Sequence, residues 1–171
     1  MFQTTVKRRG MGGVFLSLLL CCAMIAGSIL VAPSTAEAAG TKEQVDKLIQ
    51  DWTNRYGKSD IWKVRAASPE EVQKAKKAGT GYRVLPQKGH IEQTKALRKA
   101  VDRILKEYDL TPSMLNAYYP VFSFWADKND KPYWQIVFNV NSKEHKMLKT
   151  ITVQVNAVDG SIRYIKQGSD G

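Results

Sequence analysis

The sequence predicts an α+β domain: a small antiparallel sheet of about four strands, covered on one face by a long helix, with a second helix ahead of it. Three stretches carry that prediction. Tyr133–Val140 and Thr150–Ala157 alternate apolar and polar residues with a period of two, the pattern of strands buried on one face only. Ala96, Leu97, Ala100, Val101, Ile104, Leu105 and Tyr108 recur at helical spacing, and a stripe of that width is what a helix lays on a sheet.

The chain has 171 residues, and its beginning reads as an address rather than as fold. Lys7, Arg8 and Arg9 form a positive region, the 19 residues from Val14 to Ala32 carry no charge, and Pro33-Ser34 break the run. Ala36-Glu37-Ala38 then offers the small-x-small pattern that signal peptidase reads, so residues 1–38 are expected to be a signal peptide cleaved after Ala38. The alternative is an uncleaved anchor, since a membrane span needs about 20 apolar residues. In both cases the basic start places everything after residue 40 outside the membrane. Cys21-Cys22 does not read as a lipoprotein site, because Leu20 stands where a small residue is wanted. Arg8-Arg9 lacks the apolar follow-up of a twin-arginine signal.

Removing 38 residues leaves 133, enough for one domain with a core of its own. Both cysteines fall in the signal, which excludes a disulfide, a thiol nucleophile and a Cys-ligated zinc from the exported part. Of the 26 basic and 16 acidic residues, Lys7, Arg8, Arg9 and Glu37 leave with the signal, so 23 and 15 remain and the net charge is +8. Such a charge draws a domain toward anionic wall polymers, lipid headgroups or acidic proteins, or simply keeps it soluble.

In chain order, residues 39–81 are expected to form an N-terminal helical segment. Thr41-Lys-Glu-Gln44 matches a capping box ahead of a helix over 42–56, whose Val45, Leu48, Ile49, Trp52 and Tyr56 lie on one face. Gly57 is placed to end it. Ile61–Arg65 has the composition of a short strand. Ser68-Pro69-Glu70-Glu71 is a second start signal, for a short helix that stops at Gly79. Tyr82–Leu85 reads as a short strand or a crossing segment, and 91–108 as the long helix. Thr111-Pro112 caps one further turn. Tyr118–Ala126 is the first main strand, Asp127–Pro132 a polar turn, and Asn141–Leu148 a polar loop. Asp159-Gly160 suits a two-residue turn into a last strand at Ser161–Ile165. The α+β domain is placed at 82–166, and 167–171 as a disordered tail.

Catalysis needs a nucleophile, base or metal site held together. The two histidines, His90 and His145, stand in polar loop-like surroundings outside any metal or hydrolase motif. Asp127 and Asp130 flank Lys and Pro as turn formers do. No phosphate-binding or calcium loop is present. The expectation is a protein that is not an enzyme and uses no cofactor or metal, with an unrecognised hydrolase built on His90 or His145 as the competing idea. Nucleic acid is not expected as a partner, given export and the interruption of the basic helix by Glu92, Asp102 and Glu107. The polar side of the sheet is the candidate partner-binding face: Tyr133, Gln135, Asn139, Thr152, Gln154 and Asn156. These are neutral hydrogen-bonding residues that lose little entropy when covered, although Thr and Gln are also ordinary on the outer side of such a sheet. An unpaired edge strand offers a second docking mode, by strand addition.

The run Thr94–Val101, a strand ending at Phe124-Trp125, Pro132–Phe138, and Ile151–Ile162 with its apolar-x-apolar-x-Ala-x-x-Gly-x-apolar close together resemble a PepSY-type domain, over roughly residues 82–166. The resemblance implies a helix packed on a small antiparallel sheet in an exported bacterial protein. It also implies a non-enzymatic module that binds or restrains an extracytoplasmic peptidase or another envelope protein. No protease sequence follows, so restraint is expected to act in trans. The alternative is an envelope component held to anionic wall polymer or a membrane surface by its basic charge.

Overall fold

The computed structural model describes residues 35–140 and 147–168, with side chains from Lys42 onward. Among these residues are helices α1 (Thr35–Tyr56), α2 (Pro69–Ala78), α3 (Gln93–Glu107) and the single turn α4 (Pro112–Leu115). The strands are β1 (Tyr82–Arg83), β2 (Tyr118–Ala126), β3 (Pro132–Val140), β4 (Ile151–Asn156) and β5 (Ile162–Gln167). They form one antiparallel sheet in the order β1-β2-β3-β4-β5, so sequence neighbours are sheet neighbours throughout. The class is α+β, as the periodicity predicts, with the two-residue β1 as the fifth strand.

Three local signals act as the residues dictate. Ser68 caps α2 in a reciprocal box: its hydroxyl accepts from the Glu71 amide, and the Glu71 carboxylate accepts from the Ser68 amide at 2.7 Å. Gly79 closes α2 in the left-handed region at φ 65°, where glycine carries no Cβ penalty. The Thr111 hydroxyl accepts from the Met114 amide to start α4.

Other signals are overruled. The capping box at Thr41–Gln44 does not start a helix, because α1 begins at Thr35 and runs through Thr41. The good helix formers around Ala36, Ala38 and Ala39 outweigh a single Gly40. Ala36 and Ala38, the alanines of the expected cleavage pattern, therefore stand in the first turns of α1, while 1–34 lie outside the described residues. Ile61–Arg65 is not a strand. Asp60–Trp62 is a 3₁₀ turn that drives Trp62 into the core, 5.0 Å from Phe122. The loop between β4 and β5 has four residues rather than two. Asn156 and Ser161 close it, and only Gly160 has positive φ, at 74°. A two-residue type I′ turn would require two such residues. β5 continues through Gln167, and the Gly168 amide donates to the Thr150 carbonyl, so the first two residues of the expected tail belong to the sheet. Residues 169–171 and 141–146, the latter with His145, lie outside the described residues.

One face of the sheet carries the core. Val45, Leu48, Ile49 and Trp52 of α1 and Ala96, Leu97, Ala100, Val101 and Ile104 of α3 are buried against Phe122, Phe124, Trp134, Ile136, Phe138, Val153 and Val155. Two indoles are tied to backbone carbonyls: Trp52 Nε1 donates to Tyr118 at 2.8 Å, and Trp134 Nε1 to Ile91 at 2.9 Å. Segment 39–81 thus supplies Trp52 and Trp62 to the same core as the sheet. Among the described residues, no helix is long and apolar enough to cross a membrane.

Candidate binding face

The other face of the sheet is built from the alternate residues of the same strands. Cross-strand register sets them in rows: Trp125, Tyr133 and Asn156; Ser123, Gln135, Gln154 and Tyr164; Val121, Val137, Thr152 and Lys166. Tyr119 stands opposite Asn139. All six predicted face residues therefore share one side of the sheet, and the structure shows what each does there.

The Gln154 amide donates to the Gln135 side-chain oxygen at 3.2 Å, so the two glutamines form a cross-strand pair at the centre. Asn156 is partly engaged elsewhere, since its side-chain oxygen accepts from the Val158 amide and shapes the β4–β5 loop. Thr152 does not present itself: it is only 7% exposed, a short side chain between Val137 and Lys166 in mid-sheet. Tyr133 lies beneath the Arg163 guanidinium, 4.6 Å from ring centroid to cation, and burial pushes its hydroxyl pKa up. Asn139 is half-buried near the end of β3.

Arg163 reaches Tyr133 because of a bulge. Gln154 pairs with Tyr164 but Val155 pairs with Ile162, which leaves Arg163 as the extra residue, and a bulge re-aims the side chain it carries. Its guanidinium meets the Asp127 carboxylate at 2.6 Å. Burial works against the charged form of Asp127, but the Lys131 and Asn129 amides and Arg163 outweigh it, so its pKa lies below the ordinary value. On the far side of the same turn, the Tyr82 hydroxyl donates to Asp130, and Lys76 stands 3.5 Å from that carboxylate. The Tyr82 hydrogen bond, followed by the charge of Lys76, lowers the Asp130 pKa. Both aspartates thus hold structure, as turn formers.

Next to the face, the 3₁₀ turn and the residues after it border a groove of about 510 Å³. Val121, Val137 and Ile61 line its apolar end, Ser123 and Gln135 lie between that end and Trp125, and Lys63, Arg65 and Arg83 add the cations. Arg83 stacks on Trp125 at 5.4 Å. Trp125, Val121, Ser123 and Arg83 were legible as face residues from the alternation within β2 and the short β1. Polarity alone singles out the six residues of β3 and β4, and strand phase adds these four.

His90 is half-buried rather than solvated: its Nδ1 accepts from the Gln87 amide at 3.0 Å and its ring lies 5.2 Å from Phe124. Among the described residues, no group of three or more His, Cys, Asp and Glu is placed to hold a metal ion. No protein-family model, no curated protein and no solved structure matches the chain.

Proposed function

We propose that this protein is an exported, non-enzymatic binding module that offers the second face of its sheet to another protein of the cell envelope. The observation that carries the proposal is the asymmetry of the sheet. One face is sealed by α1 and α3, while the other bears half-buried Trp125, Tyr133, Gln135, Val137 and Gln154, with Glu71 and Ala75 of α2 beside the Trp125 end. Large aromatic side chains and paired amides are already ordered there, so a partner that covers them immobilises little. The resemblance of residues 82–166 to a PepSY-type domain favours an extracytoplasmic peptidase as that partner.

The test is capture with the purified protein as bait, against secreted and wall fractions of the producing cell at low and high salt. Retention of a protein at high salt, with cross-links mapping to β2 and β3, is the expected result. A peptidase whose activity falls when the bait is added gives the more specific form. Retention of wall polymer or lipid alone, lost at high salt, would overturn the proposal in favour of attraction by net charge, because exposed charges more than about 8–10 Å apart are screened at physiological ionic strength.

A further inference from the structure

The groove between the 3₁₀ turn and β3 has an uneven chemistry that says what it is fitted to hold. Val121, Val137 and Ile61 give it an aliphatic end, and Ser123 and Gln135 continue its lining toward Trp125. Its rim sets three cations, Lys63, Arg65 and Arg83, against one carboxylate, Asp60. Asp60 is already engaged, 3.0 Å from Lys63 and 3.6 Å from Arg65. The Lys63 hydrogen bond and charge, with Arg65 beyond, hold its pKa below the ordinary range. Arg83 has no carboxylate partner among the described residues; its guanidinium is steadied only by the face of Trp125. A stacked guanidinium keeps its edge donors free, and that edge suits a carboxylate bidentately.

We infer that this groove takes an acidic, apolar peptide segment of the partner protein, with an aliphatic or aromatic side chain at the Val121–Val137 end and a neighbouring Asp or Glu carboxylate at Arg83 and Arg65. The inference rests on the binding-module reading and assigns the chemistry of its partner. Charge alone would suit any polyanion. The aliphatic end favours a peptide over a phosphate or uronate polymer, which has nothing to place on two valines.

The experiment is selection of a random-peptide phage library on the purified full-length protein, followed by titration of the enriched peptides. Enriched sequences are expected to carry Asp or Glu beside an apolar residue. Their binding should weaken at least about tenfold in Arg83→Glu, the scale of losing one partner of a close charge pair. It should weaken similarly in Arg65→Glu, which leaves the Trp125 stack untouched, and in Val137→Ser, with unchanged circular dichroism in all three. Polyphosphate serves as the control for charge without an apolar side chain. No enrichment, enrichment of neutral or basic peptides, indifference to all three substitutions, or polyphosphate binding as tightly as the peptides would each overturn the inference. The two proposals fail separately. If a natural partner is captured at high salt but binds Arg83→Glu as well as the native protein, only the groove assignment falls.

Discussion

The Asp127 carboxylate accepts from the Asn129 and Lys131 amides at 2.9 and 3.0 Å and holds Arg163, which in turn covers Tyr133. One side chain therefore shapes the β2–β3 turn and pins the edge strand. Because its folded-state pKa lies below the ordinary value of 3.8, its contribution is fully present above that value and is lost as pH falls through the folded-state pKa. Asp127→Asn should cost about 1–2 kcal/mol at neutral pH, as expected for a charged hydrogen-bond acceptor. The native protein and the variant should converge in acid. Urea unfolding of both at neutral pH and in a descending series of pH values from 3.8 checks this, and a gap that stays constant throughout the series would refute it. The sequence marks Asp127 as a turn former, but it could not name Arg163 as the partner. The two are 36 residues apart, and only the bulge in β5 brings them together. Thr152 carries the converse lesson. Its outward phase is legible, but its burial depends on neighbours in two other strands.

At the scale of elements, the strands were the most legible part, because alternation is a local pattern that one buried face imposes. Helix starts were less so. Ser68 and Thr111 cap as their residues suggest, whereas Thr41 is overrun by the helix formers ahead of it. Turn length at Asp159-Gly160 also differs from the two residues that the dipeptide suggests. Those two residues mark the loop correctly, but Asn156 and Asp159 satisfy backbone amides with their own side chains and so sustain a longer one. Gly160 remains the position that the loop cannot do without. A Cβ there would meet Ile91 Cδ1 and Lys99 Cε at an ordinary 3.7 Å, so Gly160→Ala introduces no clash and only the left-handed backbone is penalised. The expected loss is about 1–2 kcal/mol, seen as a lower denaturant midpoint with β5 amides exchanging faster. An unchanged midpoint would show that the loop can re-form with another geometry.

At the scale of the molecule, residues 39–81 look separable in sequence and are not separable in the fold. Trp52 is fully buried, lies 5.9 Å from Phe138 and donates to Tyr118, 66 residues away. Trp62 packs on Phe122 from the same segment. Helical spacing puts Trp52 on an apolar face and Trp62 is apolar by composition, but neither signal says which surface receives the indole. Helix signal and sheet signal should therefore be lost together in one transition on unfolding. Trp52→Ala should shift that single transition by about 3–5 kcal/mol. Two resolved transitions by circular dichroism and fluorescence would argue instead for an independent N-terminal unit.

The meander also has a consequence in time. From β2 to β5 every strand pairs with the one before it, so this part of the sheet can grow hairpin by hairpin, while β1 joins β2 only across α3 and α4. The clasp of Trp52 on Tyr118 spans a far longer loop, and loop-closure entropy rises with length. That part of the sheet can thus assemble with little search, while the N-terminal helix must find it across the chain and, in docking, seal the face that becomes the core. Until it does, α3 alone covers the core face, and the part of that face that receives Trp52 stands open to water.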